Sequence, residues 1–126
     1  MKRLSLLTLL SVAILLSCKN KDYKDYEGTW KGTYMGEDQG SWSMEVDEEG
    51  NVDGQARSND FPDFPISIEG SVSKSGDVDL IDDSGFFDLS FEGKLDDRNA
   101  DGTWVSKSDS AGTTVAISGS WSGSKD

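Results

Sequence analysis

From Gly28 onward apolar and polar residues alternate, and a period of two restricts the chain to strands with one buried face. Between 41 and 47, Trp42, Met44 and Val46 share one side while Ser41, Ser43, Glu45 and Asp47 take the other. Residues 64–73 set Phe64, Ile66, Ile68 and Val72 against Ser67, Glu69, Ser71 and Ser73. Phe87, Leu89, Phe91 and Leu95 oppose Asp88, Ser90, Glu92 and Lys94, and Val115, Ile117 and Trp121 oppose Thr114, Ala116, Ser118, Ser120 and Ser122. No stretch of this region has the spacing of a helix.

Turn-forming clusters interrupt the pattern at Gly36–Gly40, Asp47–Asn51, Ser58–Pro62, Lys74–Gly76, Asp82–Gly85, Asp96–Asn99 and Lys107–Ser110. They delimit eight strands, expected near 28–35, 40–47, 51–57, 64–73, 77–82, 85–95, 99–106 and 112–122. Connections this short join antiparallel neighbours. The expected fold is therefore all-β, an eight-stranded antiparallel up-and-down β-barrel that buries its apolar face by closing on itself, with a two-sheet sandwich as the alternative. The likeness of the terminal strands, Gly28-Thr29-Trp30-Lys31-Gly32 and Gly119-Ser120-Trp121-Ser122-Gly123, favours closure, since the two would pair edge to edge.

The N-terminus has a different logic. Lys2 and Arg3 precede an apolar run from Leu4 to Leu16, followed by Ser17 and Cys18, the order of a secretory signal peptide. The run is too short for the roughly 20 residues that span a bilayer. Leu15-Leu16-Ser17-Cys18 resembles the lipobox of bacterial lipoproteins. That resemblance implies acylation of the Cys18 thiol and cleavage before it, and Cys18 is the sole cysteine of the chain. The expected organisation is a signal peptide at 1–17, a lipidated Cys18 with a flexible, charged tether to residue 26, and a barrel domain over 27–126. Residues 19–26 would reach roughly 26 Å when extended. Lys19 stands where an Asp would resemble an inner-membrane retention signal, so the expected location is the outer membrane, on its periplasmic face or at the cell surface.

Charge narrows the partners. The chain carries a net charge of −12, and loss of Lys2 and Arg3 with the signal leaves 10 basic residues against 24 acidic, or −14. Phosphate backbones and anionic lipid headgroups repel such a surface, so no nucleic-acid partner is expected and membrane contact should come through the lipid alone. With Cys18 acylated no internal disulfide can form, and a domain of this length must be held by one core, as an expected monomer.

All four tryptophans follow a Gly-[Ser/Thr] pair: Gly28-Thr29-Trp30, Gly40-Ser41-Trp42, Gly102-Thr103-Trp104 and Gly119-Ser120-Trp121. Gly and Trp two apart share a face, and the absent glycine side chain leaves room for a neighbour's indole. Gly70 and Gly93 also fall on inward positions. Two roles remain open for Trp30, Trp42, Trp104 and Trp121: packing a narrow barrel, or walling a cup for a small apolar ligand. The connection Ser58–Pro65 adds Phe61 and Phe64, each followed directly by a proline, Pro62 and Pro65, and Phe61 is a candidate lid, contact point or plug.

Gly28-Thr29-Trp30 resembles the Gly-x-Trp motif of lipocalins, and strand layout over about 28–122 resembles the calycins, the lipocalin, fatty-acid-binding and avidin barrels. The run Val52-Asp53-Gly54-Gln55-Ala56 is similar to one in avidins, but Gly32 and Ala56 replace the Asn and Tyr of that family, so biotin binding is not implied. Small Gly-, Ser- and Trp-rich barrel lipoproteins of diderm bacteria are the best overall likeness.

Catalysis has little chemistry to use. The chain has no His, no second Cys and no Gly-x-Ser-x-Gly turn, and the adjacent acids Asp82–Asp83 and Asp96–Asp97 fall in hairpin turns, where carboxylates are ordinarily solvated. No enzyme and no cofactor are expected. Asp97-Arg98-Asn99-Ala100-Asp101-Gly102 matches the first half of a calcium loop, but Ser108 occupies the place of the bidentate Glu, so no metal site is expected. The sequence points to a non-catalytic outer-membrane lipoprotein whose barrel binds a small apolar ligand or envelope component. The alternative is a filled barrel that binds a protein through its loops, as an inhibitor or adhesion module.

Overall fold

The computed structural model describes residues 22–83 and 88–126; the signal segment, Cys18, Lys19 to Lys21 and the 84–87 connection, with Phe87, lie outside them. Eight strands run in chain order: β1 (Gly28–Gly36), β2 (Gly40–Val46), β3 (Asn51–Ser58), β4 (Ile66–Val72), β5 (Asp77–Asp82), β6 (Asp88–Asp96), β7 (Asn99–Ser110) and β8 (Thr113–Lys125). Each pairs antiparallel with its sequence neighbour, and β1 pairs with β8, so the sheet is a closed up-and-down barrel. The β1–β8 register sets Gly32 opposite Gly123, and the two similar glycine-flanked segments meet as expected. Closure excludes the sandwich.

Three boundaries differ from the sequence reading, each for a physical reason. Strand β4 begins at Ile66, because Pro65 cannot donate to the ladder and Phe64 stays in the connection, 74% exposed. The last turn is at Ala111-Gly112, not at Lys107–Ser110. Ala111 (φ 53°) and Gly112 (φ 78°) both take the left-handed backbone of a tight hairpin, and Ser110 pairs with Thr113 across them. Among the described residues β7 pairs with β6 up to Lys107 and β8 pairs with β1 from Gly119, while the β7–β8 pairing continues to the Ala111-Gly112 turn.

The third difference is at the N-terminus. Tyr23–Asp25 forms a 3-10 turn with a capping box: the Asp22 carboxylate accepts from the Tyr23 backbone N–H, and the Asp25 carboxylate accepts from the Asp22 N–H. Tyr26 follows and is 1% exposed, its hydroxyl donating to the Lys74 carbonyl at 3.1 Å. The segment read as a tether up to residue 26 is thus folded from Asp22 and plugs one end of the barrel. An aromatic residue at every third position, Tyr23 and Tyr26, lets a charged stretch make this closure.

Glycine solves the problem of fitting four indoles into so narrow a space. Trp104 pairs across strands with Gly119, and Trp121 with Gly102. A Cβ at Gly119 would come within 2.6 Å of Trp104 Nε1, and one at Gly123 within 2.6 Å of Trp42 Cζ2. Trp42 and Trp121 meet edge to face at 5.4 Å. Every indole N–H donates to a backbone carbonyl: Trp30 to Tyr26, Trp42 to Thr33, Trp104 to Met35, and Trp121 to Glu92 and Thr103. The buried tryptophans therefore carry no unsatisfied donor.

Candidate functional site: an aromatic cup at the open end

The two ends of the barrel differ. At one end Trp30, fully enclosed, donates to the Tyr26 carbonyl at 2.8 Å, and Val52, Val72, Val78, Leu95 and Ala100 fill the space beneath the Tyr26 plug. The opposite end, where β1, β3, β5 and β7 finish, holds a cavity of about 660 Å³. That size falls in the range of small-molecule sites.

The base of the cup is an aromatic cluster. Tyr34 packs edge to face on Trp104 at 5.7 Å and on Phe91 at 6.4 Å. Strand alternation carries Ala56, Ile66, Leu89 and Ile117 into the same space, and Phe61, Phe64 and Pro65 form part of its rim. The rim is held by backbone hydrogen bonds: Asn59 N–H to the Gln39 carbonyl, Phe61 N–H to Ser58, and Phe64 N–H to Phe61. These bonds place Phe61 and Phe64 at the mouth although both remain largely exposed, at 64% and 74%.

One charged side chain of the described residues lines this space, Asp38 from the β1–β2 connection. Its carboxylate accepts from the Tyr34 hydroxyl at 3.2 Å and from Ser58 Oγ at 2.9 Å. Burial pushes the Tyr34 phenol up to about 12, and the neighbouring negative charge of Asp38 adds to that rise. No Lys or Arg is among the lining residues.

Of the aromatic candidates from the sequence, the structure brings Trp104 and Phe61 to the cup. Trp30, Trp42 and Trp121 are not at its lining: Trp30 seals the plugged end, while Trp42 and Trp121 pack on each other and on glycines of adjacent strands. Sequence reasoning did not single out Tyr34 or Asp38. Tyr34 has the strand parity of Trp30 and could have been found that way; Asp38, in a turn, gives no periodic signal. Cys18 lies outside the described residues.

The calcium-like stretch is a tight hairpin. Asp96 pairs directly with Asn99, Asp97 and Arg98 form the turn, and Asn99 and Asp101 continue along β7 as exposed strand residues, so the chain does not wrap a centre. Among the described residues, no group of three or more acidic, His or Cys side chains is placed to hold a metal ion. Asp82 is buried and the adjacent Asp83 is exposed, so these neighbours do not share one environment.

An eight-stranded antiparallel barrel with one plugged end and one cupped end is what the geometry defines. No family model matches the chain, and no curated protein matches it. A solved structure of a redesigned β-barrel is similar over 86% of this chain and 98% of its own, at 19% identity and a TM-score of 0.49. The barrel assignment itself rests on the strand pairing above.

Proposed function

We propose that this protein is a non-catalytic, lipid-anchored envelope protein whose barrel binds one small apolar molecule in its open end, in the manner of a lipocalin-like cup. The observation that carries the reading is the 660 Å³ space lined by Trp104, Phe91, Tyr34, Phe61 and Phe64, next to a half of the barrel that is already packed. Side chains such as Lys31, Glu45, Asp53, Glu69 and Asp79 cover the outer wall. That polarity is opposite to the apolar band of a membrane-spanning barrel and supports a domain standing in water.

The signal and lipobox pattern supports anchoring through Cys18 in the outer membrane. Because the fold is capped from Asp22, three residues would separate it from the lipid, a reach of about 13 Å across the four intervening steps. The plugged end would then face the bilayer and the cup would face away. The test of binding is native mass spectrometry on protein purified gently from its own host: a co-purifying apolar molecule, lost on Trp104→Ala in a folded variant, is expected. Its absence, together with failure of the purified barrel to take up any apolar probe, would refute the cup.

The exposure of Phe61 and Phe64 favours a second reading, in which the rim contacts an envelope protein instead. Substituting Phe61 by Ser would then abolish partner capture, whereas Trp104→Ala in a folded variant would leave capture intact.

A further inference from the structure

The lining of the cup distinguishes ligands by charge. Resting on the apolar-ligand reading above, we infer that the cup takes a positively charged amphiphile, an alkyl or aryl ammonium, with its head at Asp38 and its tail against the aromatic base. Three observations converge. Asp38 is half-buried at the cavity, and the hydrogen-bond donors that the described residues give it, Tyr34 and Ser58, are both neutral, so none of them is a cationic partner. No described basic side chain lines the space. The alternation of β3 and β7 directs the nearest strand cations, Arg57 and Lys107, outward, opposite in parity to Ser58 and Ser106.

An anionic ligand such as a fatty acid would bring a second carboxylate beside Asp38 in a partly desolvated place with nothing to neutralise it. A neutral ligand would gain apolar contact and at most a hydrogen bond to Asp38, with no attraction between charges. A cation gains the charge of Asp38 and the ring faces of Tyr34, Trp104 and Phe61, the combination that recognises ammonium groups in aromatic cages. The same neighbourhood carries Asp60, whose charge also acts on the Tyr34 phenol.

The test compares three probes with the same eight-carbon tail: octyltrimethylammonium, octan-1-ol and octanoate, titrated calorimetrically at physiological salt. The protein is the chain from residue 18 with Cys18→Ser, which retains the closed barrel and its plug. The expected order is cation, then alcohol, then carboxylate, with the cation favoured over the alcohol by about tenfold, the sum of a half-exposed ion pair and a cation–π contact. Asp38→Asn, which keeps an acceptor for Ser58, should erase the preference for the cation over octan-1-ol. Asp101→Asn, the same charge change on the outer wall near the plugged end, should retain it.

Octanoate binding as tightly as the cation, or a preference that persists in Asp38→Asn, would overturn the inference. If Asp38→Asn does not fold, the order of the three probes on the unsubstituted barrel decides alone. Binding of octan-1-ol with no gain for the cation would sink the charge selectivity and leave the apolar cup standing, whereas no binding by any probe would sink the cup itself.

Discussion

The division of the barrel into a packed half and an open half makes a quantitative prediction about two tryptophans. Trp30 is fully enclosed, whereas Trp104 is 4% exposed and forms part of the cup. Truncating either to Ala removes an indole that donates one backbone hydrogen bond, so the chemistry deleted is the same. What differs is the hole left behind. At Trp30 the void would be closed beneath Tyr26 and lined by Leu95 and valines; at Trp104 it would merge with a cavity that water already reaches. Large aromatic-to-Ala changes in cores cost about 3–5 kcal/mol, increasing with the cavity that remains. Trp30→Ala should therefore lie near the top of that range and Trp104→Ala near or below its bottom, a gap of about 1–2 kcal/mol. For a domain of this length the gap is worth roughly 4–16 °C in Tm, at about 4–8 °C per kcal/mol. Urea unfolding of both variants, read by circular dichroism, measures it directly. With total stability of about 5–15 kcal/mol, Trp30→Ala could leave too little fold to titrate. Trp30→Phe, which keeps most of the ring and loses the donor to Tyr26, then serves as the enclosed-site variant against Trp104→Phe. Equal costs, or a larger cost at Trp104, would refute the claim that the barrel is packed at one end and open at the other.

Other outcomes follow from single contacts. A Cβ at Gly119 would overlap the Met35 carbonyl and crowd Trp104, so Gly119→Ala should cost at least the roughly 1–3 kcal/mol of an overpacked core, measured by thermal melting. Gly112→Ala meets nothing within 4 Å, so its cost should be confined to the left-handed backbone, about 1–2 kcal/mol. Because the Tyr34 phenol titrates at about 12 in the fold and near 10 in an unfolded chain, its contribution to stability is complete below pH 10 and is lost as pH rises toward 12; melting temperature across that window should fall less steeply in Tyr34→Phe, with the buried Tyr26 phenol, also raised, supplying the rest. Calcium and magnesium at matched ionic strength should raise Tm equally, through screening of the acidic surface, and a calcium-selective gain abolished by Asp97→Ala would contradict the hairpin geometry at that turn. Cys18→Ser should abolish metabolic labelling with a fatty acid, and equal label in wild type and variant would end the lipid-anchor reading.

The parts of the fold legible in the sequence are those where one local rule acts alone. Alternation fixes the inward face of each strand because a slip of one residue would turn Trp42, Met44 and Val46 to solvent. The Gly-[Ser/Thr]-Trp repeats were readable for the same reason, since an indole and a glycine two residues away must lie on one face. The β7–β8 turn was misplaced because Lys107-Ser108-Asp109-Ser110 has the composition of a turn while Ala111-Gly112 has its geometry. Polar residues alone do not bend a chain. The described residues of this hairpin from Lys107 to Ala116 are exposed, so neither face needs to be apolar, and the strands continue through Ser, Lys and Asp until a residue pair adopts positive φ.

The closed and open ends depend instead on contacts between distant segments, and no period records them. Tyr26 becomes a plug because its hydroxyl reaches Lys74, 48 residues away, and because its own carbonyl receives the Trp30 indole. Asp38 enters the cup because Ser58, 20 residues on, ends β3 at the point where the β1–β2 turn folds over the rim. The same inward parity thus yields two different results. Trp30 is core because a folded aromatic lies over it; Trp104 is cup wall because, among the described residues, the exposed Phe61 and Phe64 frame the mouth in place of a buried plug. Whether an inward aromatic in such a barrel is packing or pocket is decided by what closes the nearer end, and the strand pattern that places the residue carries no information about that closure.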